Sequence, residues 1–309
     1  MNHQSDATTA SFDAPRVEPA AGPAPRPLYW SVRRELWENR SIYLAPLAIA
    51  AVFLAGFLIS LVDLPTRVRA LAALTLAQQR DALITPYEVA GGVMMLTTIL
   101  VSVFYCLDAL HGERRDRSIL FWKSLPVSDL TTVLAKASVP IVILPVLTSV
   151  VGAVLQLIML LLSSAVLLGS GLSAAALWAR LPWLQMSLLL LYHILTAHAL
   201  WPAPVYGWML LASGWARRAA FLWATLPVVG IAGIEAMAFR TSHFLAFVGR
   251  RLIGDVPVHS FAPDVFPTDP MSHIMPGAFL SSPGLWIGLV VTAAFLAAAV
   301  RLRRYQGPI

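Results

Sequence analysis

Six long apolar segments are the strongest constraint on how this chain can fold. They run roughly over residues 42–62, 87–110, 137–168, 183–213, 219–239 and 285–300. A helix needs about 20 mainly apolar residues to cross the hydrocarbon core of a bilayer. Only 12% of the 309 residues are charged, whereas soluble domains usually carry about a quarter. The sequence therefore predicts an all-α integral membrane protein with six transmembrane helices.

The segments at the two ends of the chain differ from the apolar spans. Residues 1–27 are rich in Pro, Ala and polar residues and contain no apolar stretch of signal-peptide type. We expect them to form a disordered tail without a cleaved signal peptide. Residues 28–305 should form the membrane domain, and residues 306–309 a short C-terminal tail.

The basic residues predict the orientation of the spans. Of the 22 Lys and Arg residues, 15 fall on the side that holds both termini and 7 on the other side. Basic residues collect on the cytoplasmic side of membrane proteins, so we expect both termini to be cytoplasmic. Because these residues lie in short loops beside the spans, they are orientation signals, and nucleic-acid binding is not expected.

Two segments outside the spans have amphipathic patterns. In residues 28–40, Leu28, Val32 and Leu36 share one helical stripe with Trp30 and Trp37 at its edges. This pattern predicts a helix lying in the cytoplasmic membrane interface; the alternative is a simple helical extension of span 1. In the outer segment over residues 240–282, aromatic and basic residues predict short helices between spans 5 and 6.

A charged loop over residues 111–129, HGERRDRSILFWKSLPVSD, separates spans 2 and 3. Residues 113–124 favour a helix, Pro126 ends it, and Ser128 with Asp129 predicts the cap of the next helix. Successive residues Ile119 to Trp122 point in four directions around a helix, so a flat lipid surface cannot cover all of them. Either the chain's own spans or a separate partner must cover part of this run.

The loop resembles the segment between spans 2 and 3 of type 2 ABC exporter permeases, where a coupling helix docks on the ATPase subunit. The matching positions are Glu113, Arg114, Ser118, Ile119, Trp122, Ser124, Pro126, Val127, Ser128 and Lys136. Where the family often has Gly, this chain has Arg117. The resemblance implies that Phe121 and Trp122 anchor the contact beside Ile119 and Pro126, and that Glu113, Arg114 and Arg117 orient it.

The resemblance also implies a function and its partners. The chain would be the permease subunit of an ATP-driven exporter in the bacterial inner membrane, surrounded by lipids and paired with a second permease copy. ATP and magnesium would bind to a separate ATPase subunit. The sequence lacks the Gly-x-x-x-x-Gly-Lys-Ser/Thr loop that cradles nucleotide phosphates. We therefore expect no ATP hydrolysis and no cofactor in this chain.

A few polar residues lie within the apolar segments. The resemblance implies a pathway at a dimer interface built from spans 2 and 5, where Thr97, Thr98 and Glu235 are candidate contacts. Glu235 also lies about one turn before Arg240, which favours an ion pair between them. The alternative function is an intramembrane enzyme or assembly factor that uses Glu235 with His193 and His198. A metal site is not expected, because histidines five residues apart lie on different helix faces.

Overall fold

Helices make up all the regular secondary structure of the described chain. The computed structural model describes residues 27–71, 73–253 and 276–309, so the predicted disordered tail before Pro27 lies outside the described residues. The α-helices are α1 (Pro27–Glu38), α2 (Ser41–Ser60), α3 (Leu64–Leu71), α4 (Leu76–Asp108), α5 (His111–Arg115), α6 (Ile119–Ser124), α7 (Asp129–Ser138), α8 (Leu144–Gly169), α9 (Ala175–Arg180), α10 (Trp183–His193), α11 (Ala203–Trp215), α12 (Ala220–Phe239), α13 (His243–Ile253), α14 (Pro276–Ser281) and α15 (Pro283–Tyr305).

Six helical segments of the described chain are long and apolar enough to cross a membrane, which confirms the predicted number. Spans 1 to 6 cover Ser41–Leu71, Gln78–Arg115, Asp129–Gly169, Leu177–Leu200, Ala220–Phe239 and Pro283–Tyr305. Beyond Leu200, span 4 continues as α11. Many large apolar side chains on spans 1, 5 and 6 are exposed, which suits helices that face lipid.

Span 2 lies at the centre of the bundle, where α4 packs against α2, α8 and α11. Along one part of α4, Met94 joins an apolar cluster with Met159 of α8. Nearer the end of the helix, Tyr105 and Cys106 join a second cluster with Tyr206 of α11. The apolar core along span 2 therefore consists of two separate clusters.

Span 3 is longer than a bilayer is thick. Its 41 residues extend about 60 Å at ~1.5 Å per residue, compared with a hydrocarbon core of ~30 Å. Between α7 and α8 the chain forms a π-helical turn over Val139–Ile143. Pro140 and Pro145 lack the N–H that a regular helical turn uses, so the helix widens here. Helix α7 therefore forms the first part of a span that is too long to lie wholly within the hydrocarbon core.

Span 4 is interrupted near its middle. A π-helical turn covers Ile194–Leu200, and the Trp201 N–H donates to the Thr196 carbonyl at 2.9 Å. Pro202 and Pro204 follow directly and remove two backbone donors. The break falls where these prolines predict it.

The bundle has two distinct ends. At the loop end, α1 packs on α7, and the Ile309 N–H donates to the Arg114 carbonyl at 3.2 Å. The loop end therefore holds α1, residues 109–128 and residues 306–309. At the other end α13 folds back after α12, and Arg251 donates to the carbonyls of Trp201 and Gly284 at 3.2 and 2.6 Å. There α13 and α14 are the short helices predicted between spans 5 and 6.

The first helix is separate from span 1. A turn at residues 39–40 divides α1 from α2, so the alternative of one continuous helix is wrong. Ser31 and Glu35 form the buried face of α1, whereas Leu28 of the predicted apolar stripe is half exposed. The exposed aromatic side chains of α1 are Tyr29, Trp30 and Trp37. The fully buried positions of α1 are therefore polar, Leu36 packs against the second apolar cluster, and an aromatic face remains open.

Candidate partner-docking site

The loop between spans 2 and 3 forms two short helices instead of one. α5 ends at Arg115 and α6 begins at Ile119, so the prediction of a single helix over residues 113–124 is wrong. The predicted cap of α7 is confirmed, because the Thr131 N–H donates to the Ser128 hydroxyl at 3.1 Å. A side-chain acceptor at this position satisfies a backbone donor of the first turn.

The break between α5 and α6 depends on the backbone of Arg117. Its φ is 58°, in the left-handed region that a side chain disfavours and glycine adopts freely. This is the position where the resembling family often has Gly. The left-handed residue redirects the chain, so that α6 does not continue the axis of α5.

The four consecutive apolar residues of α6 have different surroundings. Ile119 is buried in a small cleft beside α11 and α15. Trp122 is partly covered by Arg34, whose guanidinium carbon lies 4.1 Å from the ring centroid. Leu120 and Phe121 are 59% and 60% exposed. The chain therefore covers part of the run itself and leaves Leu120 and Phe121 open.

Below α6 lies a buried ion cluster, formed by Arg34, Glu35, Glu113, Lys136 and Arg303. The Glu113 carboxylate is 2.9 Å from Arg34 and 3.1 Å from Lys136, and it also contacts Arg303. These residues belong to α1, α5, α7 and α15. The ion cluster therefore joins the loop to the first helix and to the ends of spans 3 and 6.

Glu35 is a second carboxylate inside the ion cluster, and it was not predicted as a site residue. Its side chain is 0% exposed and lies 2.6 Å from Arg34 and 2.9 Å from Lys136. Tyr105 donates its hydroxyl to the same carboxylate at 2.8 Å. The available signals were weak: a glutamate one turn after Ser31 and a single lysine near the start of an apolar span.

Two further carboxylates lie at the edge of the ion cluster. Asp129 is 3.1 Å from the Nε of Arg303, and Glu38 is 3.6 Å from Arg34. Partial burial raises the pKa of Glu38 above its usual range, although the positive charge of Arg34 opposes this shift. Each cation of the ion cluster therefore has a carboxylate partner besides Glu113: Glu35 for Arg34 and Lys136, and Asp129 for Arg303.

The other predicted partner-binding residues have different positions. Arg114 is buried, and its Nη1 donates to the carbonyls of Gly214 and Ala216 at 2.6 and 3.1 Å. Arg117 and Pro126 are exposed. Arg114 thus anchors α5 to the end of α11, and its predicted contact with a partner stays a prediction.

The pathway candidates on span 2 lie inside the bundle. Thr98 is fully buried, with its hydroxyl 2.8 Å from that of Thr148 on α8. Thr97 is also buried and donates to the Val93 carbonyl at 2.8 Å. Both hydroxyls have hydrogen-bond partners within the chain, and their assignment to a pathway stays a prediction.

Glu235 joins α12 to α13. Its carboxylate accepts from the Thr241 hydroxyl at 2.7 Å and from the backbone N–H groups of His243 and Phe244, both at 2.8 Å. It thus caps the first turn of α13, where backbone donors lack helical partners. No described ion pair joins it to Arg240, so the predicted pairing is wrong. Its role as a pathway contact stays a prediction.

The histidines of span 4 lie at its interruption. The Nδ1 of His193 is 2.9 Å from the Leu189 carbonyl, and the His198 carbonyl accepts from the Tyr206 hydroxyl at 2.8 Å. Within the described residues, no group of three or more His, Cys, Asp or Glu side chains is arranged to hold a metal ion. The enzymatic alternative has no further geometric support from these contacts.

Comparisons of this chain with known proteins found no relative. No family model, no curated protein and no solved structure matches this chain. The loop residues and their contacts are therefore the features that bear on function.

Proposed function

We propose that this chain is the membrane-spanning permease subunit of an ATP-driven ABC transporter of the type 2 exporter class. The single observation that carries the proposal is the exposed apolar pair Leu120 and Phe121, held on a short helix above the ion cluster. A separate ATPase subunit docks on this pair. That subunit binds ATP and magnesium, and this chain forms the membrane pathway.

The surroundings of Phe121 suit a protein interface. Interface hot spots are aromatic side chains within a polar rim, and they contribute most when they are held rigidly before binding. The Phe121 ring lies 4.8 Å from the Trp122 ring, and the Arg34 guanidinium carbon lies 4.1 Å from the centroid of the Trp122 ring. The exposed charged neighbours of the pair are Arg115, Asp116, Arg117 and Lys123. Phe121 is therefore a supported anchor in a charged rim.

The rest of the molecule suits a permease that works as a pair. Spans 1, 5 and 6 present apolar side chains outward, which leaves surface for a second copy and for lipid. The excess of Lys and Arg on the loop side supports placing the loop end in the cytoplasm. The ATPase has access to nucleotide on that side of a bacterial inner membrane.

The first prediction tests the docking pair. The double variant Leu120→Ala, Phe121→Ala should lose the copurifying ATPase, because truncation of a hot-spot residue weakens binding by about 2 kcal/mol or more. Its thermal stability should stay near that of the wild type, because both side chains are exposed. The matched control is Leu130→Ala, Leu134→Ala, which removes two exposed leucines from α7 and should retain the ATPase.

Two results would contradict the proposed function. One is a wild-type protein that purifies from its native membrane without any Walker-motif ATPase. The other is a Leu120→Ala, Phe121→Ala variant that binds the ATPase as tightly as the wild type, which would assign the two side chains to lipid contact.

A further inference from the structure

The ion cluster is a costly way to join helices. Charges that leave water lose hydration, and their mutual attraction compensates only when the geometry is good. Replacement of such buried clusters by apolar residues is often neutral or stabilising. Glu35 and Lys136 are 0% and 2% exposed. An apolar cluster of Leu110, Val133 and Ala299 lies at the same end of the bundle, where Leu110 and Ala299 line a cleft with Arg303. Apolar packing was available at this end, so stability alone does not account for the charges.

Glu113 has a special place in the ion cluster. Among the described residues, it is the carboxylate that contacts cations from three other helices: Arg34 of α1, Lys136 of α7 and Arg303 of α15. The helix that carries it, α5, is only 5 residues long. A displacement of α5 must therefore move these three cations or break its contacts with them.

Helix α6, which carries Leu120 and Phe121, is connected to Glu113 by two routes. Along the chain, the Ser118 hydroxyl donates to the Glu113 carbonyl at 3.4 Å, just before α6 begins. Through space, Trp122 of α6 lies against Arg34, which itself pairs with Glu113 at 2.9 Å. Movement of α6 thus reaches the Glu113 side chain through both the backbone and Arg34.

We propose that Glu113 is a positioning residue that passes movement of the docked ATPase to α1, span 3 and span 6 together. This inference rests on the proposed function and names the residue through which the loop acts. Charged hydrogen bonds have a fixed length and direction, which holds helices in one register. Glu35 extends the same connection within α1, since it shares Arg34 and Lys136 with Glu113.

The second prediction uses Glu113→Gln, which keeps the side-chain size and removes the charge. The fold should persist, because Arg34 and Lys136 keep Glu35 and Arg303 keeps Asp129. In the purified complex in liposomes, the ATPase should bind at the wild-type ratio. Hydrolysis that depends on the permease should fall about tenfold or more, since a buried charged contact is lost.

Two variants control for charge and for position. Glu113→Asp keeps the charge with a shorter side chain and should restore part of the hydrolysis. Asp81→Asn makes the same change from carboxylate to amide at an exposed residue of α4, outside the ion cluster. It should leave hydrolysis at the wild-type level.

A distance measurement detects the transmission itself. Spin labels replace Asp116 in the loop and Trp37 on α1, both of which are exposed. In an otherwise wild-type complex, their separation should stay the same between the nucleotide-free state and the ADP–vanadate-trapped state. With Glu113→Gln, the separation should change on trapping, because the loop then moves without α1.

The possible failures can be told apart. Wild-type hydrolysis and constant label separation in Glu113→Gln would overturn the inference and leave the proposed function intact. A loss of hydrolysis that follows a lower thermal midpoint, with no recovery in Glu113→Asp, would assign the ion cluster to stability and also overturn the inference. A wild-type chain that brings no ATPase would overturn the proposed function, and this inference with it.

Discussion

At the scale of single residues, Arg117 combines an exposed charge with a strained backbone. Its φ of 58° costs an L-residue roughly 1–2 kcal/mol relative to a right-handed conformation. The neighbouring Arg115 is also an exposed arginine, but it belongs to the regular helix α5. The two positions therefore respond in opposite ways to glycine.

The third prediction compares these two arginines. Arg117→Gly should stabilise the protein by up to about 1 kcal/mol, because relief of the left-handed strain exceeds the entropy that glycine adds to the unfolded chain. Arg115→Gly should destabilise it by roughly 0.5–1 kcal/mol, because glycine loses more backbone freedom in a helical conformation and the ion pairs of Arg115 with Asp108 and Asp116 are removed. Thermal unfolding in detergent measures both. Equal losses in the two variants would show that the backbone of Arg117 carries no strain.

The pairing of the buried charges could not be predicted from the sequence. Positions near a span end are easy to find, but the pairing of Glu35 with Lys136 joins residues 101 apart in the chain. Periodicity treats a glutamate on a short amphipathic helix as solvent-facing, and only tertiary packing reverses that. The loop itself was found from its composition, whereas the contacts that hold it were not.

At the scale of elements, the lengths of the apolar runs and the positions of the prolines predicted most of the helical spans and their interruptions. Six spans follow from six apolar runs, because a bilayer requires every backbone group of a spanning segment to be paired within it. The interruption of span 4 follows from Pro202 and Pro204. The split between α5 and α6 did not follow, because it depends on one non-glycine residue with positive φ.

The fourth prediction concerns the contact of three spans at Gly152. A Cβ added to Gly152 of α8 would lie 2.8 Å from Leu190 and 3.3 Å from Met94, while one added to Gly230 of α12 would meet nothing within 4 Å. Gly152→Leu should therefore destabilise the protein by about 1–3 kcal/mol through overpacking. Gly230→Leu is the matched control, with little expected change. Thermal midpoints in detergent decide between them, and equal midpoints would mean that the bundle has room at Gly152.

At the scale of the whole molecule, the loop end brings together segments that are far apart in the sequence. Arg114 donates to the Gly307 carbonyl at 3.2 Å, and Lys123 donates to the Gln306 carbonyl at 3.0 Å. Together with the packing of α1 on α7, these contacts place the first helix, the loop and the last residues on one side. All three segments therefore face the same side of the membrane.

The fifth prediction gives that side. Single cysteines are placed at Asp116 in the loop and at Leu74 between α3 and α4, both exposed and at opposite ends of the bundle. The background is Cys106→Ala, which removes the one native cysteine. In intact bacterial cells, a membrane-impermeant maleimide should label Leu74→Cys and leave Asp116→Cys unlabelled until the cells are permeabilised. This result follows from the excess of Lys and Arg on the loop side.

The opposite labelling pattern would have wide consequences, because orientation and docking are linked. A loop end outside the cell could not reach an ATPase that uses cytoplasmic ATP, so labelling of Asp116→Cys in intact cells would overturn the proposed function as well as the orientation. Labelling of both cysteines in intact cells would instead place them on the same side. That outcome would contradict the six-span arrangement, since one span separates the two positions.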